Sequence, residues 1–310
     1  MRAFGPFPAA FVRVMVKTMN LILEAADVAP GVRRIRVRAP RVAAHHRAGQ
    51  FVILRVTSDG ERIPLTIADS DVAEGSITLY VQAVGRTTRL LNRLEAGDAI
   101  HDIAGPLGKP TEIESYGRAV VVGGGLGIAI AYPVALALRR AGNEVDAILG
   151  ARDETHLFLE AELQDAGIRT RPCTDDGSYG RHGFVTDELQ AMLDAGEQVD
   201  VVFAAGPVVM MKFVAAVTRP HDVKTLASLN PIMVDGTGMC GGCRVVVGGR
   251  TRFACVDGPE FDAHGVDFEI LELRNQAYRE FEQDRDHALD VMEPCEIDDL
   301  LASSKTGESP

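Results

Sequence analysis

The chain of 310 residues sets 32 Lys and Arg against 44 Asp and Glu, a formal net charge of −12 at pH 7. That balance argues against nucleic acid or an anionic membrane as the main partner, and no run approaches the ~18 apolar residues of a membrane span. With 46% hydrophobic and 25% charged residues, the composition is that of an ordinary soluble globular protein with room for two or three domains.

Residues 1–18 read as an extension ahead of the folded part. They mix apolar and basic side chains but lack a clean apolar segment and an A-x-A-like cleavage site, so they do not read as a secretory signal. Five cysteines, three of them in one loop system, fit a reducing cytoplasm.

From 19 to 114 the pattern predicts short strands at Asn20–Ala25, Arg33–Arg38, Gln50–Val56, Ser76–Val84 and Ala99–Ala104, parted by Gly, Pro and Asp turn signals. Closely spaced strands without intervening helices predict a small antiparallel barrel. Within it Arg62-Ile63-Pro64-Leu65-Thr66 ends a strand, and the extended backbone of Pro64, Leu65 and Thr66 suits the edge of a flavin ring. Val81, Gln82 and Val84 lead into a short helix predicted over Thr87–Leu94. At its start Gly85, Thr87 and Thr88 offer amides and hydroxyls to a phosphate. The bland reading of both stretches is a strand end and a capped helix.

The texture changes for 115–222. Strand Arg118–Val122 runs into Gly123-Gly124-Gly125-Leu126-Gly127 and a helix through about Ala141. Strands Glu144–Leu149, Ile168–Cys173 and Val199–Ala205 then alternate with helices His156–Ala166, Thr186–Leu193 and Val208–Val217, which predicts a doubly wound parallel sheet. Ligands sit at the carboxyl ends of such strands. Gly124, Gly125 and Gly127 would bring amides to a pyrophosphate, although Ile128 takes the place of the last glycine of G-x-G-x-x-G, and a ligand-free tight turn competes. Gly206, Pro207 and Met210 open another helix at the same level. Asp175 and Asp176 suit ribose hydroxyls, or simply a turn. Arg152 favours a 2′-phosphate and its neighbour Asp153 a free 2′-hydroxyl, so NAD(H) and NADP(H) both stay open.

The third region, 223–265, holds Asp235-Gly-Thr-Gly-Met-Cys240-Gly-Gly-Cys243 and then Cys255. Plant-type [2Fe-2S] proteins space their ligands C-x4-C-x2-C with a distant fourth cysteine. Cys240, Cys243 and Cys255 fill three of those places and Asp235 the first. Zinc on three thiolates and a carboxylate is the runner-up, then a redox dithiol, which usually opens a helix. Asp235 also reads as a turn former. The remainder, 266–310, is charged and helix-prone; its acidic stretch Glu269–Asp299 suits a partner's docking face or a solvated helix equally well.

The fold class that follows is a β-barrel plus α/β: an antiparallel flavin barrel, a doubly wound nucleotide sheet and a small C-terminal [2Fe-2S] domain. This order, together with Arg62-Ile-Pro-Leu-Thr-Ile-Ala-Asp69, Cys173-Thr-Asp-Asp-Gly-Ser-Tyr-Gly180, Asn230-Pro-Ile-Met-Val-Asp-Gly-Thr-Gly-Met-Cys240 and Phe253-Ala-Cys-Val-Asp-Gly-Pro-Glu-Phe261, resembles the electron-transfer subunits of dihydroorotate dehydrogenase, within the ferredoxin–NADP reductase superfamily. It resembles still more the small subunits of the NADH-dependent ferredoxin:NADP oxidoreductase, or sulfide dehydrogenase, type. The likeness runs from about Met19 to Asp267.

The resemblance implies FAD, a [2Fe-2S] cluster held by Asp235, Cys240, Cys243 and Cys255, and hydride transfer from NAD(P)H to flavin N5, with Thr66 as the hydroxyl or amide nearest N5. It further implies a larger subunit with another FAD and [4Fe-4S] clusters, ferredoxin as a partner through that complex, and electron bifurcation. The superfamily motif Arg-x-Tyr-Ser aligns with Ile63-Pro-Leu-Thr66, leaving Arg62 one place early, so its pyrophosphate role is not carried over. Two other classes stay open: the electron-transfer subunit of a different complex (dihydroorotate dehydrogenase or 2-oxoacid:ferredoxin oxidoreductase), and a non-enzymatic nucleotide or redox sensor.

Overall fold

A computed structural model describes residues 20–306; the expected extension 1–18 and the last residues of the tail lie outside them. The first seven strands are β1 (Ile22–Ala29), β2 (Val32–Arg38), β3 (Phe51–Arg55), β4 (Arg62–Thr66), β5 (Asp69–Asp71), β6 (Ser76–Gln82) and β7 (Asp102–Leu107). They form two antiparallel sheets, β1-β2-β6-β5 and β4-β3-β7. Alternation places Ile35, Val37, Ile77, Leu79, Val52 and Leu54 inside, all fully buried. The short helix Arg86–Leu91 follows β6.

The second sheet begins with β8 (Arg118–Gly124), β9 (Glu144–Ala151), β10 (Arg169–Thr174), β11 (Arg181–His182), β12 (Val201–Ala205) and β13 (Lys224–Ser228). Its principal helices are Gly127–Arg140, Val185–Asp194 and Val208–Thr218. Helices cover both faces, which is why β8 and β12 are apolar without alternation. The predicted helix at His156 instead starts with a 3-10 turn, Glu154–His156, and becomes α-helical only at Glu160–Asp165.

A hairpin of β14 (Arg244–Val247) and β15 (Arg250–Phe253) precedes β16 (Glu260–Asp262). The sheet order is β11-β10-β9-β8-β12-β13-β16, with β16 antiparallel to β13. The nucleotide sheet therefore continues past the expected division at residue 223, and the cysteine loop is an insertion between two of its strands. Composition could not mark that division, because Lys224–Ser228 is short and has only Leu226 and Ala227 as apolar side chains.

The helices Phe268–Asn275, Arg279–Asp290 and Pro294–Thr306 complete the described chain. The last two return to the barrel: Leu289, Ile297 and Leu301 are buried in its core. Arg89 pairs with Asp286 at 2.9 Å and with Asp290, and Arg285 lies 3.3 Å from Glu61. Two of the acidic side chains expected on a docking or solvated face, Asp286 and Asp290, are thus tied to the chain's own first domain, while residues 276–285 stay exposed. Among the described residues no helix is long and apolar enough to cross a membrane.

Candidate electron-transfer site

In β4, Ile63 and Leu65 pack against the barrel core, so by alternation Arg62, Pro64 and Thr66 share the outer face. Leu65 is half-buried, its side chain turned toward the core. β4 pairs with β3 alone, which explains how Pro64 is tolerated and leaves one row of backbone groups for a ligand.

At the next expected contact, Val81 is buried in the core and its carbonyl accepts from Asn92, while Gln82 is half-buried and Val84 exposed. The Thr88 hydroxyl accepts from the Val84 and Gly85 amides at 3.1 Å, and Thr87 donates to Glu61 at 2.8 Å. Both hydroxyls are therefore engaged within the protein, and the amides of the first helical turn are what a phosphate would meet.

The nucleotide sheet reverses its strand order between β8 and β12, the switch point where open α/β sheets form a crevice. The expected residues converge there. Met210 packs against Gly124 and Gly206, and Gly127 lies against the Ala205 carbonyl with no room for a Cβ. Gly125 adopts φ +56 and has open space beside it.

At the end of β9, Asp153 caps the 3-10 turn. Bonds from Thr155 and then His156 hold its carboxyl down at about 2. His156 Nε2 lies 2.7 Å from Arg152 Nη2. His156, absent from the sequence-based set, thus joins the two residues that were expected to compete. Beyond β10 the two aspartates part company. Asp176 accepts from the Ser178 hydroxyl and amide at 2.7 and 2.9 Å and shapes the turn. Asp175 is exposed.

The β14–β15 hairpin brings Cys243 and Cys255 side by side. The Ala254 amide donates to the Cys243 carbonyl at 3.0 Å, and the two buried sulfurs stand 3.2 Å apart. Burial, and next the neighbouring Cys243 sulfur, push the Cys255 thiol up to about 12. Such a pair becomes thiolate when a cation takes the protons' place. Two thiolates on one tetrahedral metal with ~2.3 Å bonds would sit about 3.8 Å apart, close to what the hairpin provides.

The other limb is arranged differently. Asp235 accepts from the Thr237 and Cys240 amides, both at 2.8 Å, which hold its carboxyl below its ordinary range. Cys240 is exposed and its sulfur accepts from the Gly242 amide at 3.4 Å. Among the described residues no three Cys, His, Asp or Glu side chains converge as metal ligands. The structure joins two of the four expected ligands and closes the loop of the other two on itself through Asp235. The donor chemistry, three sulfurs and a carboxylate with amides directed at sulfur, nonetheless fits an iron–sulfur centre.

The loop also rests on the barrel. Gly236 has φ +75, and a Cβ there would come within 2.6 Å of Leu107 Cδ1 and 3.0 Å of Ile53 Cγ1. Ile53 is the cross-strand partner of Pro64. The cysteine loop and the outer edge of β4 are thus separated by one β-ladder, a contact that no local sequence pattern announces.

A barrel with a free strand edge, a nucleotide crevice and a thiol-rich loop define a ferredoxin-reductase-like flavoprotein with an appended iron–sulfur domain. Family profiles agree on its parts: residues 20–111 match the oxidoreductase FAD-binding domain, and 230–267 the iron–sulfur cluster binding domain of dihydroorotate dehydrogenase B. The chain is 45% identical to a dihydroorotate dehydrogenase B (NAD(+)) electron transfer subunit homolog of Thermotoga maritima, over 86% of this chain and 93% of that one. It is 35% identical to the dihydroorotate dehydrogenase B (NAD(+)) electron transfer subunit of Geobacillus thermodenitrificans, over 73% and 88%. A solved structure of the NADH-dependent reduced ferredoxin–NADP oxidoreductase, studied for flavin-based electron bifurcation, superposes with a TM-score of 0.84 at 43% identity, covering 88% of this chain and 98% of that one. The chain belongs to the family of dihydroorotate dehydrogenase B electron transfer subunits, and it is an oxidoreductase subunit with FAD-binding and iron–sulfur domains.

Proposed function

We propose that this subunit passes electrons between NAD(P)H, FAD and a [2Fe-2S] cluster, within a cytoplasmic, electron-bifurcating ferredoxin:NAD(P) oxidoreductase whose larger subunit carries further FAD and [4Fe-4S] centres. The observation that supports it most is the seat of the cysteine loop on the barrel ladder that ends at Pro64 and Thr66. Bound FAD and cluster would supply the conversion of a two-electron hydride into single electrons.

The chain's own residues position and insulate. The edge backbone of Pro64–Thr66 would orient the ring, with Thr66 offering its hydroxyl or amide to N5. The amides after Gly85 take the FAD phosphates. The Gly124–Gly127 amides take the nucleotide pyrophosphate, Met210 walls the crevice, and Asp175 holds a ribose. Cys243, Cys255, Cys240 and Asp235 would hold the cluster, the last two giving up the internal amide bonds that now close their loop. Seventy-three per cent or more of this chain aligns with both relatives above, so a dihydroorotate dehydrogenase complex is the second reading.

Anaerobic purification from the native host with iron, sulfide and flavin analysis tests the assignment. About two irons and one FAD per chain are expected, with rapid bleaching by NADH or NADPH. A colourless protein sinks it, and the co-purifying subunit separates the two complexes.

A further inference from the structure

Glu260 is a carboxyl that this electron path does not use. It stands on β16 opposite Ser228 of β13, five positions beyond Cys255 and next to Pro259. That stretch is pinned in place: the Lys109 amide donates to the Gly258 carbonyl at 2.6 Å, and the Leu229 amide to that of Pro259 at 2.9 Å. Three parts of the chain enclose the carboxyl. Thr111, in the connector between barrel and sheet, donates its hydroxyl to Oε1 at 2.7 Å. Gly49, just ahead of β3, leaves it room: a Cβ there would meet Oε1 at 3.1 Å. The helix Gly127–Arg140 with β12 and β13 adds Ile130, Val134, Phe203 and Leu226.

The residue keeps some accessible surface, but its carboxyl faces this apolar lining with a single hydrogen bond. Burial pushes it up to about 7. The one charge that raises it further is Glu112 of the connector, no Lys or Arg offsets it, and Tyr116 is the neighbouring group that feels its charge in turn. An unpaired carboxylate so placed is costly to ionise. Five residues of chain cannot put it more than ~18 Å from Cys255, and in so apolar a lining a negative charge gained there bears on its state.

Resting on the electron-transfer reading above, we propose that Glu260 takes up the proton that accompanies an electron's arrival at the cysteine loop. One electron, drawn from the reduced pyridine nucleotide, enters the centre held by Asp235, Cys240, Cys243 and Cys255. One proton from solvent closes the O–H bond of the Glu260 acid, so charge is balanced. Thr111 supplies the route. It also lines a crevice of about 490 Å³ between barrel and sheet, with His46, Arg47 and Arg140, and its hydroxyl joins that crevice to Oε1.

The test is an anaerobic redox titration of the intact holoprotein from about pH 5.5 to 9, read by the paramagnetic resonance signal of the reduced cluster. The native midpoint should fall with rising pH on the alkaline side of about 7 and flatten below it. Glu260→Gln should lose that pH dependence. Thr111→Val, which deprives the ionised carboxylate of its donor, should move the bend to higher pH. A Glu260→Gln protein that keeps the native slope, or a native cluster whose potential ignores pH, overturns the role of Glu260 and leaves the electron-transfer reading standing. A native protein without iron overturns both.

Discussion

Gly236 and Ile53 lie in van der Waals contact across the boundary between the cysteine loop and the barrel, with no space for a side chain on the glycine. Gly236→Val would combine a strained left-handed backbone with overpacking against Leu107, costing about 3 kcal/mol. Thermal melts should show the loss. Electron passage from flavin to cluster should slow in the same variant, because the loop must lift from the ladder.

The cysteine loop predicts an asymmetric response to substitution. Cys243→Ser or Cys255→Ser removes half of a preformed pair, so iron and sulfide should fall to near zero while flavin is retained. Asp235→Cys should keep iron but shift the cluster's midpoint, because a soft thiolate replaces a hard oxygen. Metal analysis and potentiometry measure both. An unchanged midpoint and spectrum would remove Asp235 from the ligands.

Glu260 also bears on stability. Its folded pKa is raised, so its contribution is fully present below the unfolded value near 4.5 and is lost as pH rises through about 7. Glu260→Gln should therefore flatten the decline between those limits, and at pH 8 should be the more stable protein by on the order of 2 kcal/mol. Urea unfolding at pH 5 and pH 8 measures the difference.

The two aspartates after β10 should separate kinetically. Asp175→Ala is expected to raise KM for the preferred nucleotide about tenfold, the loss of ~1.4 kcal/mol of binding, with little change in melting temperature. Asp176→Ala should do the reverse, since Asp176 bonds Ser178 rather than facing the crevice. Equal effects on KM would refute the division of labour.

Leu289→Ala opens a cavity in the barrel core from a residue far away in sequence. A cost of about 2–5 kcal/mol is expected, with weakened FAD retention, since the helix that carries it also holds Arg89 and Glu61. Gel filtration with flavin absorbance reads out the second effect.

Much of this architecture is legible in the sequence because it rests on local rules. Apolar continuity marks β8 and β12, alternation marks β2 and β6, and glycines mark the switch-point turns. Cys243 and Cys255 are legible through spacing, since a hairpin of two short strands must return the chain to its start. What escaped is long-range. β13 reads as part of the cysteine region because its partner β12 precedes it by a whole helix. Ile53 looks like any core strand residue, and its contact with Gly236 lies beyond periodicity. The C-terminal helices look solvated by charge count, whereas three apolar side chains, Leu289, Ile297 and Leu301, decide their place. His156 had no signal except its neighbours, and Glu260 only its position in the Asp257-Gly-Pro-Glu260 run.

Because Leu289, Ile297 and Leu301 finish a core begun by Ile22 and Ile35, the barrel closes only once helices made after the whole nucleotide sheet have folded back onto it. Until then the emerging barrel carries an open apolar seam, of the kind that invites aggregation or chaperone capture. Flavin loading should accordingly follow the docking of these helices rather than precede it.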